Sequence, residues 1–451
     1  MRVLIIGTGY VGLNTGVVLS YIGHDVTCLD TNAEKIDLLR SGQTPFYEPH
    51  LDEMLAAVGP KMRFTTSYAE ADLSTVDVVF IAVGTPSLPD GNADLKYVHQ
   101  AVESIAQEMD GHFLVVVNKS TVPIGSGNWV GSLIKESYEK RVGAKADGLF
   151  SVVSNPEFLR QGAALYDSFY PDRVVVGSEN SHGIQRLKEL FAPILEQSFT
   201  PPACLPRPAG LTRVPLLVCD LTSAEVIKYA ANAFLALKIS YINEIARLAQ
   251  RVGADATLIA QGIGLDNRIG PRFLNPGIGW GGSCFGKDTA ALVATARDYQ
   301  LEMPIVQAAR EVNYRQRAWV VDALQEGLKI LKGRHITLLG FSFKPDTDDL
   351  RDAPSLDIAR LLVQRGAIVR AHDPVALANA QRLYPDLGVK YCQDVYEALQ
   401  GAEGIVLVTE WPLYRQLLWE NIPPAFIVDG RNFLDREKLK ELGFKVIGVG
   451  R

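Results

Sequence analysis

The first thirty residues constrain the fold of this chain more than any other stretch. Arg2-Val3-Leu4-Ile5-Ile6 is a short apolar run of the buried-strand type, and it opens directly into Gly7-Thr8-Gly9-Tyr10-Val11-Gly12. An apolar helical stretch follows to Tyr21, then a turn at Gly23 and a second strand, Asp25–Leu29, that ends on Asp30. Strand, glycine triplet, helix, strand and acid, in that order, specify a dinucleotide-binding βαβ unit. Gly7 makes the tight turn, Gly9 lets a pyrophosphate approach, and Gly12 lets helix and strand pack closely. Tyr10 and Val11 open the helix whose N-terminus faces the phosphates. Asp30 stands where a carboxylate takes ribose hydroxyls, which favours NAD over NADP. Lys35 is either a further ribose contact or a solvated helix position.

The βα alternation continues. A strand over Asp77–Val83 closes on Gly84-Thr85-Pro86. A helix Leu95–Glu108 and a strand Phe113–Asn118 lead to the turn Lys119-Ser120-Thr121-Val122-Pro123. These turns follow the carboxyl ends of strands, where open parallel sheets bind ligands. Thr85 and Thr121 are therefore candidates for cofactor and active-site contact, against the alternative of plain turn chemistry before proline. Tyr47-Glu48-Pro49 lies in a proline-bearing loop that could border the nicotinamide side. After a strand at Val152-Val153-Ser154 comes Asn155-Pro156-Glu157-Phe158-Leu159. The pattern puts Glu157 in the first turn of a helix, as a dipole partner or as a general base that positions water. Pro171-Asp172-Arg173 precedes another strand, Val174–Val176.

From Thr200 to Thr212 the chain is rich in proline and reads as an exposed loop between domains. Thr222-Ser223-Ala224-Glu225 then has the form of a capping box, and a helix without proline runs to about Val252. Val226, Ala230, Ala233, Leu237, Tyr241, Ile245 and Leu248 recur along it at helical spacing. A helix this long commonly bridges domains or forms a dimer seam. Lys228 and Asn232 are four residues apart and share a face, where they could stabilise a developing oxyanion; the alternative is a snorkelling lysine and a solvated amide.

Further on, Gly277-Ile278-Gly279-Trp280-Gly281-Gly282-Ser283-Cys284-Phe285-Gly286-Lys287-Asp288 crowds five glycines around one cysteine. Such a loop exposes the thiol on a turn. The alanine-rich run after it reads as a helix. Both a helix N-terminus and the Lys287 ammonium favour thiolate, which is how a nucleophile is prepared.

The last third echoes the first. A helix from about Pro304 to Leu331 leads to the strand His335–Gly340, a helix Ser355–Arg365 and a strand Ala367–Ala371 that reaches Asp373. The loop Gly340–Arg351 lacks the glycine triplet and carries Lys344 and Arg351, which could hold a nucleotide diphosphate or pair with the acids beside them. Strands Gly404–Val408 and Ala425–Val428 complete a small sheet, and Asp429-Gly430-Arg431 adds a cation at a strand end.

A length of 451 residues implies two or three domains. A net charge of −6 argues against a nucleic-acid binder. The five cysteines lie far apart, and the seven histidines lack ligand spacing, so neither structural zinc nor another metal is expected. With no signal-peptide pattern and no apolar run of spanning length, the expectation is a cytoplasmic protein without a membrane segment.

The fingerprint Gly7–Gly12, Lys119–Pro123, Asn155–Leu159, Lys228-Tyr229-Ala230-Ala231-Asn232, Gly281–Phe285, Phe343-Lys344-Pro345 and Asp429-Gly430-Arg431 occur in this order. Together they resemble the nucleotide-sugar 6-dehydrogenase family along nearly the whole chain. The resemblance implies an α/β chain of two Rossmann-like, doubly wound domains joined by a long central helix. Residues 1–205 would bind NAD, 206–320 would form a helical dimerisation domain with the cysteine loop, and 321–451 would bind a UDP-sugar. It also implies that the C6 alcohol is oxidised twice, through a thiohemiacetal and a thioester on Cys284. UDP-glucose would become UDP-glucuronate, with UDP-N-acetylmannosamine or GDP-mannose as alternative substrates and a non-catalytic nucleotide-sugar sensor as the remote one. Lys228 and Asn232 would stabilise the oxyanion; Asp288, Glu157 and Thr121 would handle protons and water. Lys287 would assist at the cofactor. Glu157, Phe158, Leu159, Lys228, Asn232, Phe273, Leu274, Gly277, Gly281, Lys344 and Arg431 would contact the substrate. Arg268 would reach the substrate of a neighbouring subunit, making a homodimer the minimum assembly. Gln161 stands where the family often has glutamate, Trp280 where a smaller aromatic is common, and the segment 200–215 looks longer than usual.

Overall fold

The computed structural model describes the whole chain, Met1–Arg451, as two compact units, Met1–Ala230 and Ala231–Arg451. The first is built on eight strands: β1 Arg2–Ile6, β2 Asp25–Leu29, β3 Arg63–Thr65, β4 Val78–Ile81, β5 Leu114–Asn118, β6 Phe150–Ser154, β7 Val174–Gly177 and β8 Leu216–Cys219. They lie in the order β3-β2-β1-β4-β5-β6-β7-β8, parallel except where β7 runs against β6. A parallel sheet is covered on both faces, which is why its strands read as unbroken apolar runs. β1 shows the alternation: Val3 and Ile5 pack into one core with Leu13 and Val17, Leu4 and Ile6 into another with Val102 and Ile105. The strand order reverses between β1 and β4, so the ligand crevice opens at their carboxyl ends. There Gly12 leaves no room for a side chain, since a Cβ would sit 1.9 Å from the Gly7 carbonyl oxygen.

The second unit repeats the plan. Its strands are β9 His335–Leu339, β10 Ile368–His372, β11 Val389–Tyr391, β12 Gly404–Leu407, β13 Phe426–Asp429 and β14 Lys445–Gly448. Their order is β11-β10-β9-β12-β13-β14, that of the first six strands of the N-terminal sheet. At the end of β10, the position matching Asp30, Asp373 is buried. One of its oxygens accepts from the Phe341 and Ser342 amides, the Ser342 hydroxyl and the Trp411 indole, the other from the Val375 and Ala376 amides.

The division between units falls inside a 32-residue helix, Leu221–Val252. Its cap is Asp220, which accepts from the Ser223 amide (2.8 Å) and hydroxyl (2.6 Å). The capping box expected at Thr222–Glu225 does not form, because the Glu225 carboxylate is engaged elsewhere, by the amides of Gly125 (2.6 Å) and Gly127 (2.7 Å). The buried stripe is also rotated from the expected one: Tyr229, Ala236, Ile242, Ala246 and Ala249 are buried, while Val226, Tyr241 and Leu248 are exposed.

The segment 200–215 is not an exposed linker. Leu205 and Val214 are buried in the N-terminal core. The Tyr170 hydroxyl donates to the Leu205 carbonyl, and the Arg207 guanidinium donates to Gln197 and to the Phe199 carbonyl. The chain then enters β8, which the sequence pattern hides because the strand has four residues and a half-exposed face. No helix is long and apolar enough to cross a membrane.

Candidate active site

In the first unit the glycine triplet and Asp30 form a cradle that fits a dinucleotide. A Cβ on Gly9 would meet nothing within 4 Å, so the backbone there is open to a ligand. Gly9 is also the N-cap of the helix Tyr10–Tyr21, and no side chain caps that end. The Tyr10 ring lies against Phe46, with 4.1 Å between centroids. Burial pushes the Asp30 carboxyl up, but the amides of Asn32 and Thr8, the Thr8 hydroxyl and Lys35 together hold it below its ordinary value. It is therefore an anion, with the Lys35 ammonium 3.7 Å away, so Lys35 is not merely a solvated helix position. On the far side of the crevice the Thr85 hydroxyl donates to the Thr121 carbonyl (2.8 Å), tying the turns after β4 and β5 together.

Beside these turns stands Glu157. Asn155–Leu159 is a loop and not the helical turn expected, since the next helix begins at Ala164. The Glu157 carboxylate takes the Lys228 ammonium at 2.8 Å on one oxygen and the Leu159 amide at 2.9 Å on the other; Lys228 also donates to the Glu157 carbonyl at 2.6 Å. Both side chains are buried. Burial raises the Glu157 pKa, but Lys228, with Lys119 and the Leu159 amide behind it, outweighs burial and leaves the carboxyl below its ordinary range. The Phe158 ring carries the Arg173 guanidinium on its face at 3.6 Å and has the Lys228 ammonium at 5.5 Å. Thr121, Lys228 and Glu225 line one cleft with Asn118, Lys119 and Tyr229.

In the second unit Cys284 is exposed and is the N-cap residue of the helix Phe285–Asp298. The loop before it is fastened through its backbone. Asn243 accepts from the Gly277 amide, and Gln316 donates to the Gly277 carbonyl. Asn313 both accepts from the Trp280 amide and donates to its carbonyl, which also takes the Arg317 guanidinium at 3.0 Å. Gly282 sits at φ +84, and a Cβ on it would lie 2.8 Å from the Phe343 ring. The Trp280 ring is buried edge-on to Phe285 at 5.9 Å, so the larger aromatic has a place. One helical turn after the thiol, Asp288 is 1 % exposed; it accepts from Asn232 at 2.6 Å and has Lys287 at 3.6 Å.

The cations expected at a diphosphate differ in their surroundings. Arg431 is anchored, donating to the Val408 and Gly279 carbonyls with Glu410 at 3.3 Å. Arg351 forms a two-pronged pair with Asp349. The Lys344 ammonium lies 5.7 Å from the centre of the Phe343 ring. Arg268 is well exposed and paired with Asp266. Leu274 is buried, and Phe273 holds φ 64. Gly281 lets the loop pass close to the Asp352 carbonyl. Sequence reasoning missed the residues that brace the cysteine loop, namely Asn243, Asn313, Gln316 and Arg317. Each is a polar residue on a helix, and only its burial marks it.

A dinucleotide cradle with an ionised acid at the end of β2, a buried carboxylate–ammonium pair and an exposed thiol at a helix N-terminus define an NAD-dependent dehydrogenase carrying a second nucleotide-type fold. Comparison with known proteins makes this specific. Residues 1–195 match the NAD binding domain of the UDP-glucose/GDP-mannose dehydrogenase family, 222–315 its central domain and 337–436 its UDP binding domain. The chain is 41% identical to the UDP-glucose 6-dehydrogenase YwqF of Bacillus subtilis over all of its length and 98% of the relative's. It is 42% identical to the UDP-glucose 6-dehydrogenase of Rhizobium meliloti, with both chains covered completely. Among solved structures, a UDP-glucose dehydrogenase from Pyrobaculum islandicum superposes with TM-score 0.88 at 38% identity, covering 100% of this chain and 97% of that one. The chain belongs to the UDP-glucose/GDP-mannose dehydrogenase family.

Proposed function

We propose that this chain oxidises the C6 alcohol of UDP-glucose to the carboxylate of UDP-glucuronate, using Cys284 as acyl carrier. NAD, when bound, accepts one hydride in each of the two oxidations. Glu157 and Asp288 manage protons, Thr121 helps hold the attacking water, and the cations Lys228 and Lys344 with Arg431 hold oxyanion and diphosphate. In the first oxidation the alcohol loses its proton and a hydride and becomes the aldehyde. The Cys284 thiolate adds to that carbonyl and the oxygen takes a proton, giving a thiohemiacetal. Loss of the second hydride and the hydroxyl proton leaves a thioester; water then displaces the thiol and releases the acid.

The observation that carries this reading is the exposed thiol at the start of a helix in a loop fastened by four polar side chains. A single alcohol oxidation needs a base and no nucleophile, so an exposed, braced cysteine points to a covalent second step. UDP-glucose is favoured over UDP-N-acetylmannosamine because the relatives named for UDP-glucose oxidation are 41% and 42% identical, whereas the UDP-D-ManNAc dehydrogenase of Pyrococcus horikoshii is 26% identical. Phe234, Tyr241 and Leu248, seven residues apart and more than half exposed, support the central helix as the seam of a homodimer. A cytoplasmic location completes the reading, because a catalytic thiol needs reducing surroundings.

The test is stoichiometric. Wild type should yield two NADH per UDP-glucose and a product of uronic-acid mass. Cys284→Ser should bind both ligands and form no net acid; acid formation at the wild-type rate in that variant overturns the mechanism.

A further inference from the structure

We propose that Lys119 is a positioning residue for this oxidation: it ties the turn that follows β5 to the loop that carries Glu157 and keeps a second positive charge beside that carboxylate. The inference rests on the role given to Glu157 above. Lys119 is anchored at both ends. Its amide donates to the Ile81 carbonyl at 3.0 Å, and its ammonium donates to the Asn155 side-chain oxygen at 2.9 Å. Asn155 passes the connection on, its amide to the Asn118 carbonyl at 3.0 Å and its side-chain nitrogen to the Val175 carbonyl at 2.7 Å. Lys119 and Asn155 together thus join β4, β5, β6 and β7 at the rim where Thr85, Thr121 and Glu157 sit. The Phe80 ring lies under the ammonium, 5.9 Å from it.

Such a brace could be purely structural, but its chemistry is costly for that task. An ammonium withdrawn from water and placed near the Lys228 ammonium is repelled by it and loses hydration. Burial, and then Lys228, push the Lys119 pKa down from 10.5 to about 8, against the pull of Glu157. Glu157 and Lys228 are the charged groups that act on it; Glu225 lines the same cleft. Bracing alone calls only for a hydrogen-bond donor to Asn155, and a neutral donor carries none of this cost. The cleft that Lys119 lines also contains Asn118, which is 2 % exposed and has no protein partner at either end of its amide. Buried amides of that kind bind water or ligand. The charge therefore serves the Glu157 carboxylate: while Lys119 holds its proton, Glu157 stays ionised and correctly aimed, and Lys228 is freer to turn to a substrate oxygen.

Lys119→Met and Lys119→Arg, assayed for NADH formation from UDP-glucose across pH about 6.5 to 9.5, separate charge from bracing. Lys119→Met should lose about 10- to 100-fold in kcat, with KM for UDP-glucose within about twofold of wild type. The wild-type profile should show an inflection near the Lys119 pKa of about 8. Lys119→Arg should recover most of kcat and lack that inflection, because guanidinium does not titrate there. If both variants keep the wild-type kcat and inflection and differ only in melting temperature, Lys119 is a structural brace and the proposal falls. Should the Met variant fail to fold, an Arg variant that retains the inflection overturns it equally. Cys284→Ser run alongside keeps the two readings apart: acid formation in that variant removes the thioester mechanism, while a lost inflection in Lys119→Arg bears on Lys119 alone.

Discussion

At the scale of single residues, the chemistry depends on how an anion is kept in a buried place. Glu157 and Lys228 are both out of water, and each is the main reason the other is tolerated there. Glu157→Gln removes one partner and strands the other, a change that costs about 3–5 kcal/mol in buried pairs. The variant should melt lower than wild type at neutral pH and lose about 10²–10⁴ in kcat if the carboxylate is the base. The pH dependence has a definite sign. A carboxyl whose folded pKa lies below its free value adds stability above that value and loses it as pH falls. The gap in melting temperature should therefore close as pH drops below the ordinary glutamate value of 4.5, which a thermal melt series reads directly. Much of this was legible without coordinates. Lys228, Asn232, Glu157 and Cys284 announce themselves as polar or reactive residues in glycine-rich or apolar settings. Their partners did not: only the fold reveals that Lys228 spans 71 positions of sequence to reach Glu157, or that Asn232 serves Asp288.

Elements were legible in proportion to their length and periodicity. The parallel core strands and the long helices lie within a few residues of where the apolar pattern puts them. The edge strands β3, β8, β11 and β14, three or four residues long and partly exposed, carry too few apolar positions to read. Prolines in 200–215 fix turns and so erase any period, although Leu205 and Val214 are core residues. Glu225 shows how tertiary structure overrides a local signal. Its spacing from Thr222 suits a cap for its own helix, yet it grips the amides at the start of Ser126–Val142 instead. Burial pushes its pKa up to about 7 despite those amides. A raised carboxyl pKa means that the folded state binds more protons between the free and folded values, so stability falls as pH rises from 4.5 to about 7. Glu225→Gln should abolish that slope. The difference amounts to about 3 kcal/mol at most, and unfolding at several pH values measures it. The cysteine loop supplies the matching steric test. Gly282→Ala should force both a left-handed non-glycine and a clash with Phe343, lowering the melting temperature and suppressing acid formation while NADH binding, measured by dihydronicotinamide fluorescence, persists.

The whole molecule is one plan used twice, with the two sheets sharing strand order through their first six strands. A row of exposed apolar residues, Phe234, Tyr241 and Leu248, runs along the central helix. If that row is a subunit seam, Phe234→Glu combined with Leu248→Glu should convert a dimer to a monomer in light scattering; an unchanged mass would remove the seam from this face. The repetition was visible as a weak echo in the sequence. What the echo could not show is how the two copies diverged, because that depends on which donors a carboxylate meets. Asp30 accepts from three donors and has Lys35 beside it, whereas Asp373 is saturated by six donors, the Trp411 indole among them. In the second sheet the acid at this position closes its own loop. Oxidised coenzyme in excess consequently finds no second berth there, and the rate should rise with its concentration to a plateau without competing against the nucleotide sugar.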